Sequence, residues 1–109
     1  MALSTSKFDI QNHLKTPEER AAYLQAAFEE GDASFITHAL NDVARSIGMA
    51  KVAEAAGITR EGLYRALGEK GDPKLSTLVG VMKAIGVRMT TEAAVEQRSA
   101  EQIEFEEAG

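Results

Sequence analysis

Cysteine and tryptophan are both missing from this 109-residue chain. Without cysteine there is no disulfide framework, no thiolate metal site and no cysteine nucleophile. The only histidines, His13 and His38, lie 25 residues apart and make no ligand pair with metal spacing. No apolar run approaches the roughly 18 residues of a membrane span, and Met1 to Lys7 lacks the apolar block of a signal peptide. Gly-rich phosphate loops, internal repeats and low-complexity tracts are absent too. Carboxylates are plentiful, but they fall on helix faces expected to be solvated, and Ser34 near Asp32 and His38 is more simply helix-cap chemistry. These absences point away from catalysis, with no cofactor and no metal expected. They leave a soluble cytoplasmic protein without a membrane partner as the default.

Apolar residues make up 44% of the chain, enough for one compact domain with a modest core. Residues 1–15 show no period and are expected to be a flexible N-terminal segment, in which Phe8 and Ile10 could dock locally. Thr16-Pro17-Glu18-Glu19 then opens a helix: a capping threonine, proline at the first helical position and a glutamate that completes a capping box. This helix should run to Glu30, present Tyr23, Leu24, Ala27 and Phe28 on one face, and stop at Gly31. Asp32 caps a second helix over about 33–47, with Phe35, Ile36, Ala39, Leu40, Val43 and Ile47 at helical spacing and Gly48 as its stop.

Residues 49–67 carry the most informative pattern, a helix-turn-helix with helices near 49–56 and 60–67. Val52, Ala56, Ile58, Leu63 and Ala66 fall where two crossing helices must face each other, and Ala53 is small, as a close crossing requires. Gly57 sits where the turn needs φ > 0. Thr59 caps the second helix. The exposed start of that helix offers Thr59, Arg60, Glu61, Tyr64 and Arg65, and a recognition helix carries its base-reading side chains at this end. The plain alternative is a helical hairpin used only for packing. A polar loop follows (Gly68 to Lys74), then a fifth helix capped by Ser76 or a neighbour, with Leu78, Val81, Met82 and Ile85 buried and Gly86 at its end. Val87 to Thr91 alternates weakly and suggests a short strand. The expected architecture is therefore all-α: five helices in a repressor-like helix-turn-helix domain over 16–91, a possible short C-terminal strand, and an acidic tail over 92–109.

The net charge of −5 argues at first against nucleic acid. Its distribution reverses that. Residues 49–88 hold seven basic and four acidic side chains, a net +3, while the remainder carries −8. Phosphate attraction depends on the field within a Debye length, about 8–10 Å, more than on total charge. Arg60 and Arg65 are the foremost candidates for DNA contact, since an arginine fork donates two bonds to guanine O6 and N7. Arg65 could instead touch only phosphate. Glu61 either accepts from cytosine N4 or merely favours the helix start. Tyr64 reaches DNA or packs half-buried. Lys70 and Lys74 either touch phosphate or decorate a solvated turn. Gly62 costs up to about 1 kcal/mol inside a helix, and would allow close approach either to DNA or to the preceding helix.

The five-helix pattern resembles the phage-repressor-like (Xre/Cro-type) domain. The segments AAGITREGLYRALGEKGDPKLSTLVGVMKAIGVRMT and FDIQNHLKTPEERAAYLQAAFEEGDASFITHALNDVARSIGMAKVAEAAGI resemble the addiction-module antidote proteins of bacterial toxin–antitoxin operons, over about residues 8–91. The specific parts are Leu63-Tyr64-Arg65-Ala66-Leu67, the Gly71-Asp72-Pro73 loop and the approach ending at Ala44-Arg45-Ser46-Ile47-Gly48. The resemblance implies a homodimer that binds its own operator duplex DNA and a basic ribonuclease toxin of the RelE or HigB kind. Two other readings remain open: a prophage-type repressor with no toxin, and an interaction adaptor whose helix-turn-helix no longer contacts DNA.

Overall fold

The computed structural model describes residues 13–94. It is all-α, with five helices: α1 (Pro17–Glu30), α2 (Ala33–Ile47), α3 (Met49–Ala56), α4 (Arg60–Ala66) and α5 (Leu75–Ala84). Their ends follow from local chemistry. At α1 the Thr16 hydroxyl accepts from the Glu19 N–H, and the Glu19 carboxylate accepts from the N–H groups of Thr16 and Lys15. Glycine in the left-handed region at Gly31 closes the helix. The Asp32 carboxylate accepts from the Ser34 N–H and starts α2.

Helix α3 lies at the centre, packed on α5, α4 and α2, while α1 packs on α2. Leu24, Leu40, Val43, Val52, Leu63, Val81 and Ile85 are fully buried between them. Each such side chain contributes about 1.5–3 kcal/mol of apolar burial. The α3–α5 crossing is close: a Cβ at Gly80 would lie 3.1 Å from the Ala56 carbonyl oxygen. A larger residue at that position would require the α3 backbone to give by a few tenths of an ångström.

The expected apolar faces are partly displaced outward. Phe28 and Phe35, assigned to them from periodicity, are 42% and 47% exposed. Thr37, from the opposite category, is buried because its hydroxyl bonds back to the Ala33 carbonyl. Leu14 falls within the stretch expected to be flexible, yet it is buried in the core. Arg20 holds this lead-in segment: its Nε donates to the Leu14 carbonyl, one terminal nitrogen to Lys15 and the other to Ile85, 65 residues away.

Two further expectations change. Ser76 does not cap α5. The helix begins at Leu75 directly after Pro73 and Lys74, Lys74 occupies the cap position without a side-chain bond, and its carbonyl accepts from Leu78. The possible strand at Val87–Thr91 is absent, and no strand occurs among the described residues. The Val87 N–H donates to Met82 and the Gly86 N–H to Lys83, so this backbone finishes α5 in a Schellman turn. Among the described residues every regular element is a helix, so none offers this segment a strand edge to pair with. Phe8 and Ile10, Ile103 and Phe105 (the candidate apolar anchors for a protein partner at the N-terminus and in the acidic tail), and most of that tail lie outside the described residues. Among the described residues no helix is long and apolar enough to cross a membrane.

Candidate nucleic-acid interface

The α3–α4 connection is built from backbone hydrogen bonds that one glycine makes possible. Gly57 has φ 77°, its N–H reaches the Glu54 carbonyl, and the Ile58 N–H reaches Ala53. A side chain here would carry a left-handed strain of about 1–2 kcal/mol. Thr59 then sits extended, and its hydroxyl accepts from the Gly62 N–H at 2.9 Å. A Cβ on Gly62 would come 2.9 Å from that same hydroxyl oxygen. The glycine therefore makes room for the cap, a reason found neither in DNA approach nor in packing on α3.

Leu63, with no exposed surface, anchors α4 to the core, and Leu67 follows it inward. That fixes which side of this short helix faces out: Arg60, Glu61, Tyr64 and Arg65 are all exposed. Arg60 and Tyr64 meet, with the guanidinium carbon 5.3 Å from the ring centroid. A second arginine joins them. Arg45, in the last turn of α2, places its guanidinium carbon 5.9 Å from the same ring. Such exposed cation–π contacts contribute about 0.5–1 kcal/mol each. Arg45 was not among the residues singled out from the sequence as DNA contacts. Its signal was there in the approach segment Ala44-Arg45-Ser46-Ile47-Gly48, but no periodicity relates it to Tyr64, 19 positions later.

Lys70 and Lys74 stand exposed on the loop after α4. The loop turns tightly there: the Gly71 N–H donates to Gly68, and a Cβ on Gly71 would overlap the Ala66 carbonyl oxygen. Among the described residues no carboxylate pairs with Arg45, Arg60, Arg65, Lys70 or Lys74, so their charge faces outward uncompensated at contact range. A groove of about 600 Å³ runs between α2 and the α4 end, lined by Phe35, His38, Arg45, Tyr64, Leu67 and Glu69 among others.

A tyrosine–aspartate pair ties the first two helices together. The Tyr23 hydroxyl donates to the Asp42 carboxylate at 2.6 Å, tying α1 to α2. Burial first, then that bond and the Asp42 charge, push the tyrosine well above its ordinary value. His38 lies 3.7 Å from the same Asp42 oxygen on the solvent side. Among the described residues, no group of three or more His, Cys, Asp or Glu side chains could hold a metal ion.

Over the described residues, five helices with a capped, cation-bearing α4 are the class this geometry defines. The chain belongs to a family described as "probable addiction module antidote protein", whose pattern matches residues 4–93. It is also similar to an uncharacterized protein of Haemophilus influenzae strain Rd, 42% identical over 81 residues that cover 74% of this chain and 84% of that protein. No solved structure matches the chain.

Proposed function

We propose that the protein is a DNA-binding antitoxin that represses its own operon and neutralises a cognate ribonuclease toxin of the RelE or HigB kind. In this reading α3, the Gly57 turn and α4 are a helix-turn-helix, and α4 enters the major groove of an operator duplex. The observation that carries it is the outward face of α4, with Arg60, Tyr64 and Arg65 presented by a helix that Leu63 roots in the core. Arg60 reads a base edge, Arg65 a base or phosphate, and Glu61 selects by accepting or repelling. Lys70 and Lys74 contact phosphate, which positions the reader without reading sequence.

One such reader covers only a few base pairs, so a two-fold homodimer reads two half-sites. The dimer contact uses α5 and Val87–Thr91, where Met89 is 38% exposed beside Val87. Membership in an antidote family implies a toxin partner. A ribonuclease presents a positive surface to RNA, and the acidic segments outside 49–88 complement such a surface, aiding association more than final affinity. Apolar anchors supply most of that binding energy. Phe28 offers exposed apolar surface for this in the N-terminal third. These roles require neither catalysis nor a cofactor, and they place the protein in the cytoplasm.

The decisive experiment pairs two assays. The first is co-expression with the product of the adjacent reading frame. That product should arrest growth alone, co-purify with this chain, and be silenced by it. The second titrates the full chain against the duplex upstream of its own gene and against a scrambled duplex. Operator preference without a toxic neighbour leaves a plain repressor. Rescue of growth without DNA preference removes the operator-reading role.

A further inference from the structure

The ring at the centre of α4's exposed face is shared with a helix outside the reader. Arg45, exposed in the last turn of α2, lies 5.9 Å from the Tyr64 ring centroid, and Arg60 lies 5.3 Å from it. The two guanidinium groups are thus no more than about 11 Å apart. Among the described residues neither has a carboxylate partner. Two like charges held against one ring repel each other. The ring's negative face offsets part of that repulsion, and an anion at the same place would offset far more. Glu69 and Asp32 line the same groove. The groove thus carries charges of both signs, and the cations that share a ring are Arg45 and Arg60 at Tyr64. Arginine suits that position because its planar fork both stacks on an aromatic ring and meets a phosphate with two parallel N–H donors.

We propose that Arg45 grips the phosphodiester backbone of duplex DNA beside the bases read by α4, with Tyr64 as a platform that it shares with Arg60. This rests on the DNA-reading function proposed above, and it adds a contact from α2, outside α3 and α4. Tyr64 then serves chiefly to hold two arginines in place. Arg45 anchors the register in which Arg60 meets its base. A purely structural Arg45 would do something else: as a cation in the last turn of α2 it would favour the helix dipole and affect folding only.

The test uses the full chain and two variants, Arg45→Ala and Arg45→Lys. Fluorescence anisotropy follows binding to the upstream duplex and to a scrambled duplex between about 50 and 200 mM salt. For Arg45→Ala we expect about tenfold weaker binding to both duplexes, and a log–log salt slope shallower by about 0.9 per bound subunit. Arg45→Lys keeps the charge and should keep the slope, while recovering only part of the lost affinity for either duplex, because an ammonium neither stacks on Tyr64 nor forks onto a phosphate. Unchanged thermal unfolding of both variants shows that the loss is not one of folding. If wild type binds and Arg45→Ala retains its salt slope, the phosphate contact is refuted and the α4 reading stands. If the wild-type chain prefers neither duplex and shows no salt-dependent binding to either, the DNA-reading function fails and this inference falls with it.

Discussion

Arg60 and Lys74 carry the same charge and are both exposed, yet their supports differ. Arg60 stands in the first turn of a helix rooted by Leu63 and is steadied against Tyr64. Lys74 ends a polar loop on a flexible stem with no side-chain partner among the described residues. A steadied fork can discriminate bases, and a mobile ammonium acts as a point charge. Arg60→Ala should therefore lose about 1–3 kcal/mol of operator preference, while Lys74→Ala weakens operator and scrambled duplex alike. Competition binding with both duplexes separates these outcomes, and equal loss in both variants would remove Arg60 from the base edge. Arg20 acts inside the scaffold instead. Its three donors satisfy the carbonyls of Leu14, Lys15 and Ile85 at once. Hydrogen bonds to charged groups are worth about 1.5–3 kcal/mol each; two of these are only partly buried and the one to Lys15 is exposed, so Arg20→Ala should cost about 2 kcal/mol in all. Arg20→Lys should recover little, because an ammonium cannot span three divergent acceptors. Urea denaturation of the two variants measures both quantities.

The helices owe their ends to caps, and one cap is sensitive to pH. The Glu19 carboxylate accepts from the Lys15 N–H, the leading cause, and from Thr16, and its pKa is lowered below the ordinary 4.5. A carboxyl depressed in the folded state stabilises it above the unfolded pKa, and that stabilisation is lost as pH falls through the folded value. The unfolding midpoint should thus drop below about pH 4.5. In Glu19→Gln, which retains a capping-box acceptor without the charge, the gap to wild type should narrow on acidification. A set of thermal melts from pH 7 to pH 3 checks this, and a gap that stays constant would assign the acid response to other carboxylates. Helix α4, only seven residues long, depends more than the others on its cap and its single deep anchor. Short helices are marginal alone and persist through packing. That is why Gly62, unfavourable by propensity, is tolerated: it protects the Thr59 cap.

Among the described residues, one exposed apolar patch lies away from α4: Phe28, Val87 and Met89 gather with Leu24 and Met82 around α1 and the segment after α5. Phe35 lies instead in the groove with Arg45 and Tyr64. The first patch is therefore the one free for contact with a second copy of the chain. Light scattering at micromolar concentration should give about twice the 11.7 kDa of one chain, and Met89→Glu should shift the population toward monomer. A monomer unchanged by operator DNA would refute the dimer. If Met89→Glu leaves the dimer intact, its contact lies elsewhere.

Helix starts and stops were legible in the residues because they depend on neighbours three or four positions away. Thr16 with Glu19, Asp32 with Ser34, Thr59 with Gly62, and the glycines at 31, 57 and 86 all act within one turn. The five helices of the described residues followed from those signals and from apolar spacing. Periodicity could not say which end of an apolar stripe meets a partner, so Phe28 and Phe35 were assigned inward and stand half out. Nor could β-branched alternation at 87–91 reveal that Val87 already donates to Met82. The contacts that matter most at the candidate interface are the least local. Arg45 meets Tyr64 because α2 and α4 both pack on α3, which brings their long side chains within reach, and Arg20 reaches across from α1 to the Ile85 carbonyl that follows α5. Such pairings arise when separate helices bury their apolar faces on one core, and side-chain spacing within a single helix carries no record of them.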